Sequence, residues 1–146
     1  QVSCGFGHTG AVSVDGRLFT WGYAAEGALG FDTQAETVEL PQEALRGIRR
    51  VSCGGHHTLA WRNDKRVMAA GLEEALGSLG GPLFRVWGGG EVNYVHAGHK
   101  NAVFAHGLGY TEFPSGLFDD SAGTPFRCLQ TSLRIRAGVD EDGRER

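Results

Sequence analysis

Val51-Ser52-Cys53-Gly54-Gly55-His56-His57-Thr58 is a near copy of Val2-Ser3-Cys4-Gly5-Phe6-Gly7-His8-Thr9, displaced by 49 positions. Laid over residues 51–71 without a gap, residues 2–22 repeat Val, Ser, Cys, Gly, His, Thr, Ala, Asp, Arg and Gly. Ordinary composition would give roughly one or two such matches. Self-similarity at this period marks a solenoid, a propeller or an array. Outward from the two copies the pattern thins. Pro82, Val86, Val92 and Val95-His96-Ala97-Gly98 form a third copy, and Pro125, Leu129, Leu133, Ile135 and Ala137 suggest the start of another. The expected organisation is one repeat domain over 1–146, with units at about 1–47, 48–91 and 92–131 and a fourth beginning at 132–146.

Within each unit the chemistry is that of β-structure. Ala11-Val12-Ser13-Val14 and Leu18-Phe19-Thr20-Trp21 are joined by Asp15-Gly16, a pairing that favours a tight hairpin. Leu59-Ala60-Trp61 and Arg66-Val67-Met68 flank Asn63-Asp64-Lys65 in the same way, and Ala102-Val103-Phe104 and Tyr110-Thr111-Glu112-Phe113 flank Gly107-Leu108-Gly109. The Val-x-small-Gly run before each hairpin reads as an inner strand where only small side chains fit. Twenty-four glycines among 146 residues point to many tight turns, so the fold class is all-β. Stretches 23–44, 71–91 and 114–124 read as connections, because Pro41 interrupts one candidate helical turn and Gly77 and Gly80 another. The charged close, 138–146, is expected to fray.

The first unit resembles the repeat of the regulator of chromosome condensation family. The carriers are Val2, Cys4-Gly5, His8-Thr9, Asp15-Gly16-Arg17, Leu18-Phe19-Thr20-Trp21-Gly22 and Glu26-Gly27-Ala28-Leu29-Gly30. The second unit keeps Cys53-Gly54, His57-Thr58, Asp64, Arg66 and Gly71, with Ala70 where the family has tryptophan; the third keeps Gly98, with Asn101 at the histidine position. The resemblance implies a partial β-propeller of four-stranded blades, about three of a seven-bladed type. Its structural repeat positions are Cys4, Gly5, His8, Trp21, Gly22, Cys53, Gly54, His57, Gly71 and Gly98. The run Gly-Trp-Arg-His-Thr, which the family's plant ultraviolet photoreceptors use, is absent from this sequence.

Charge and cysteines narrow the function. The net charge of −3 hides an asymmetry, since residues 1–45 contain one basic and six acidic side chains, while Arg46, Arg49, Arg50, Arg62, Lys65 and Arg66 crowd residues 46–70 beside a single acid. Solvated loop charge is the favoured reading of that basic run, and a nucleic-acid footprint, which needs a basic domain face, the less favoured one. Three cysteines without a C-x-x-C pair suggest small buried thiols in a reducing, intracellular compartment, nucleus or cytoplasm. The chain opens inside a repeat without a methionine, so sequence upstream is expected, and a targeting segment there would make an organelle compatible as well. No apolar run reaches the roughly 20 residues of a membrane span, so no membrane partner is expected.

Cys4 with His8 and Cys53 with His57 form Cys-x-x-x-His pairs, and His56 stands beside the second. Four residues along a strand span about 13 Å, too far for two ligands of one zinc ion, so each histidine is expected to bond backbone near its own hairpin, and no metal is expected. Nucleophile, phosphate-loop and paired-carboxylate motifs are absent. The expectation is a non-enzymatic interaction or structural module without a cofactor, working with other protein subunits. The alternatives are an exchange factor for a small GTPase and a chromatin or nucleic-acid binder. Arg49, Arg50, Arg62, Lys65, Arg66, Trp61 and Trp87 are the candidate interaction residues, the last two tryptophans being off the family pattern and expected exposed, while Trp21 is expected in the core.

Overall fold

In the computed structural model, residues 1–107 and 109–113 are described; the expected end of the third unit, the fourth unit and the charged close lie outside them. The first sheet runs β1 (Val2–Cys4), β2 (His8–Val12), β3 (Leu18–Tyr23) and β4 (Thr37–Leu45), in spatial order β1-β2-β3-β4. The second repeats it with β5 (Ile48–Cys53), β6 (His57–Arg62), β7 (Val67–Gly71) and β8 (Gly81–Val86). The third has β9 (Tyr94–Ala97), β10 (Ala102–His106) and β11 (Gly109–Phe113). All pairings are antiparallel, and equivalent residues share register: Cys4 faces Thr9 as Cys53 faces Thr58, and His8 faces Gly22 as His57 faces Gly71. The chain is a partial β-propeller, each sheet a blade.

Two apolar layers hold the blades together. Leu18 of the first blade packs with Ile48, Val51, Cys53 and Ala60 of the second. A larger cluster joins Leu59, Val67 and Ala69 to Val95, Ala97, Ala102 and Phe104. Covered on both sides, β6 is buried from His57 to Ala60, whereas β2, with one covered side, alternates. The same asymmetry corrects two expectations. Cys53 is buried between blades, but Cys4 is exposed, because no blade lies against its side of β1 among the described residues. Trp21 is half-buried for the same reason, while its counterpart Ala70 is fully buried.

The reading of 23–44 and 71–91 as connections missed the outer strands β4 and β8. An outer strand pairs along one edge only and keeps its other face wet, so β4 carries no fully buried residue and no clean alternation. Pro41 is tolerated because it sits at the sheet edge, between Val38 facing Gly22 and Gln42 facing Thr20, where the register shifts. A single helical turn, α1 (Glu73–Leu76), does form, and buries Ala75 and Leu76 before Gly77 ends it at φ 58°. Among the described residues no helix is long and apolar enough to cross a membrane.

Candidate functional site

The recurring histidines build a polar spine between blades. His8 Nε2 lies 2.7 Å from Thr58 Oγ1, and that hydroxyl donates to Ala28 O at 2.7 Å. Since the hydroxyl proton is spent on Ala28, the ring N–H must be the donor to Thr58, which fixes His8 as the Nε2–H tautomer. One blade on, His57 Nε2 donates to Asn101 O at 2.9 Å, and its Nδ1 is buried without a partner. The expectation of bonds near each histidine's own hairpin is therefore corrected: both rings reach the next blade, because neighbouring residues of a strand point to opposite faces and each ring is turned away from the threonine of its own hairpin. Burial lowers the pKa of both rings to about 4; main-chain hydrogen bonds from the His57 and Asn101 segments oppose this, and neighbouring imidazoles reinforce it. No group of three or more potential metal-ligating side chains exists among the described residues.

Glycine makes this approach possible. The amides of Gly5, Gly54 and Gly98 donate to His8, His57 and Asn101 carbonyls at 2.8, 2.8 and 2.9 Å, so the three occupy equivalent places in successive blades. A Cβ on Gly5 would collide with Gly54 O and the His8 ring, and one on Gly54 with the His57 ring. Two further staples were overlooked in the repeat: Ser3 Oγ accepts from Cys53 N and Ser52 Oγ from Ala97 N, each at 3.0 Å. Both serines were visible as matches at the 49-residue shift, which alone could have flagged them.

The turns that leave these glycines gather at one end of the blades. Phe6, 76% exposed, meets the rings of His56 and His99 edge-on at 5.8 and 6.0 Å between centroids, and Tyr23 meets His56 at 6.3 Å. Phe6 N donates to Gly54 O at 3.3 Å and Gly55 N to His99 O at 2.9 Å, so three successive turns are tied together. A hollow of about 440 Å³ opens among Phe6, Glu26, His56, Leu72, Glu74, His99 and Lys100. His56, without a counterpart in the first unit, thus serves an aromatic surface.

At the opposite end of the second blade stand Arg49, Arg50, Arg62, Lys65 and Arg66, with Trp61 beneath Arg49, whose guanidinium carbon lies 4.8 Å from the ring centroid. Arg62 pairs with Asp64 at 2.7 Å. Trp87 stands at the same end, its backbone N–H donating to Val67 O at 2.9 Å, and its ring packs at 5.1 Å on Phe104. Both tryptophans are partly buried against the second apolar layer, contrary to their expected exposure, Trp61 being covered by Arg49 and Trp87 by Phe104.

This repeated geometry has a name. The sequence pattern of the regulator of chromosome condensation (RCC1) repeat matches residues 15–61. The chain carries that repeat. A probable E3 ubiquitin-protein ligase, HERC6, of Homo sapiens is 39% identical over 83 residues, 54% of this chain and 8% of that protein. The X-linked retinitis pigmentosa GTPase regulator homolog of Caenorhabditis elegans is 34% identical over 78 residues, 51% of this chain and 6% of its own length. The chain thus spans a small part of the curated relatives it matches. Among solved structures, Prp20p from Saccharomyces cerevisiae, a protein described with its binding properties to Gsp1p and histones, superposes with a TM-score of 0.65 at 19% identity, over 77% of this chain and 32% of that one. At that identity the likeness concerns the fold, which is the RCC1-type propeller.

Proposed function

We propose that this chain is a non-catalytic protein-interaction module, one repeat domain whose units follow the boundaries expected above, and that it contacts other protein subunits through the end bearing Phe6, His56 and His99. The observation that carries this is the exposure of Phe6. A large aromatic ring held in place by two imidazoles, and by the tied turns beneath it, offers apolar area at little entropic cost, the combination found at contact centres. Truncating it costs the fold little, since most of the ring faces solvent. A photo-crosslinking residue placed at position 6 should join the chain to a discrete protein in cells, and one placed at exposed Leu40, on the outer edge strand of the first blade, should not. Equal or absent crosslinking from the two positions contradicts the proposal.

A second reading, regulation of a small GTPase, is favoured by the relative that is itself described as a GTPase regulator homolog. Release of a fluorescent nucleotide from candidate GTPases separates the two: acceleration by the chain that disappears in Phe6→Ala establishes the second reading at the same surface, and no acceleration leaves the module reading in place.

A further inference from the structure

The turn end of the second blade presents a cation at each of two irregular places, a strand bulge and a left-handed turn residue. β5 carries a bulge, with Ile48 facing Arg62 and Arg50 facing Trp61, so Arg49 is the extra residue. A bulge re-aims side chains, and here both arginines are exposed, Arg49 steadied over the Trp61 ring. In the turn, Lys65 adopts φ 67°, the left-handed conformation that Gly16 adopts at the equivalent position of the first blade with φ 84°. A side chain there is disfavoured relative to glycine, because its Cβ crowds the following carbonyl oxygen. Nevertheless the lysine backbone is fastened on three sides: Lys65 N donates to Arg62 O at 3.0 Å, and Lys65 O accepts from Trp61 Nε1 at 3.1 Å and from Val92 N at 2.8 Å. Next to it Arg66 is exposed, its amide donating to Asp64 Oδ1 at 3.1 Å. Arg46 and Arg62 are engaged by Glu43 and Asp64, whereas Arg49, Arg50, Lys65 and Arg66 make no ion pair among the described residues.

We infer that this end of the second blade is a docking surface for an acidic segment of a partner protein, distinct from the end that carries Phe6. Charge complementarity selects the occupant. The four unpaired cations are confined to one blade, and the neighbouring blade belongs to the stretch 1–45 with its six acids and one base. Duplex nucleic acid, carrying a charge about every 1.7 Å, would run off the patch onto that acidic blade and be repelled; a run of a few Asp and Glu residues reaches the cations and stops. Beside the patch a hollow of about 450 Å³ lies among Val12, Val14, Asp15, Ile48, Arg49 and Asn63, with Val14 fully exposed and the Asp15 carboxylate paired with Arg17 at 3.1 Å. An apolar side chain next to the acidic run would fill it.

The test uses the 146-residue chain with a fluorescein-labelled peptide of alternating Asp and Glu around a central Leu, read by anisotropy, and a labelled duplex DNA of equal charge as comparison. The peptide should bind at low salt and weaken several-fold between about 50 and about 200 mM salt. Arg50→Glu and Lys65→Gly should each weaken it about tenfold. Lys65→Gly should leave the melting temperature equal or higher, which separates loss of a docking cation from loss of the fold, and Phe6→Ala should leave peptide binding unchanged. Absence of peptide binding at low salt, equal binding by the Arg50→Glu and Lys65→Gly chains, a lowered melting temperature in Lys65→Gly, or tighter binding of the duplex than of the peptide would each overturn the inference.

Discussion

Mild acid should loosen this molecule through two side chains. His8 and His57 are both buried, and their pKa values stand at about 4, below the ordinary 6.5, because burial disfavours the imidazolium. For His57 there is a second obstacle, since a proton on its buried Nδ1 would find no acceptor. In the unfolded chain both rings take up their proton near the ordinary value. The unfolded state therefore binds more protons between pH 6.5 and about 4, and stability, complete above 6.5, falls as the pH drops through that window. At pH 5 each histidine has cost about 2 kcal/mol, at 1.36 kcal/mol per pKa unit. The pair removes about 4 kcal/mol from a total of the order of 5–15, or roughly 10 °C in melting temperature for a chain of this size. Thermal melts followed by circular dichroism at about pH 7.5 and about pH 5 measure the effect. His57→Gln keeps a donor for Asn101 O and cannot titrate, so it should halve the difference, and the double variant with His8→Gln should nearly abolish it. A melting temperature that stays level down to pH 5, or a double variant as acid-sensitive as the parent, would refute the reasoning.

Three other outcomes follow from the same geometry. Thr58→Val removes the buried hydroxyl that bridges the His8 ring and Ala28 O and should cost about 2 kcal/mol in denaturant unfolding, while Thr58→Ser, which keeps the hydroxyl, should cost less than half of that. Gly54→Ala should destabilise by more than about 2 kcal/mol, since its Cβ meets the His57 ring and Gly98 O, whereas Gly47→Ala, with open space but φ 72°, should cost about 1 kcal/mol. Thiol labelling at mildly alkaline pH, mapped by mass spectrometry, should modify exposed Cys4 quickly and spare Cys53, whose burial pushes its pKa up to about 11; equal labelling of the two would contradict the placement of Cys53 between blades.

What the amino-acid order disclosed, and what it concealed, divides along one physical line. Anything a blade does within itself recurs in the letters, so the hairpins, the small residues on the inner strands and the equivalence of Gly5, Gly54 and Gly98 were legible from the 49-residue shift. The outer strands were not, because a strand paired on one edge needs neither an apolar face nor freedom from proline, and β4 has polar exposure and Pro41 to hide behind. Nor was the bulge at Arg49, which shows in register and leaves no mark in composition. Contacts between blades pose a subtler case. His8 bonds Thr58, and Thr58 is the copy of Thr9, so in letters a bond within the repeat and one across it look identical. Strand geometry distinguishes them. Adjacent residues of a strand point to opposite faces, so the His8 side chain is turned away from the Thr9 side chain, and its reach ends on the next blade's copy. That step needed only the recognition that blades stack, and it places the histidine between blades: the residue that recurs once per repeat is the one that each repeat offers to the next.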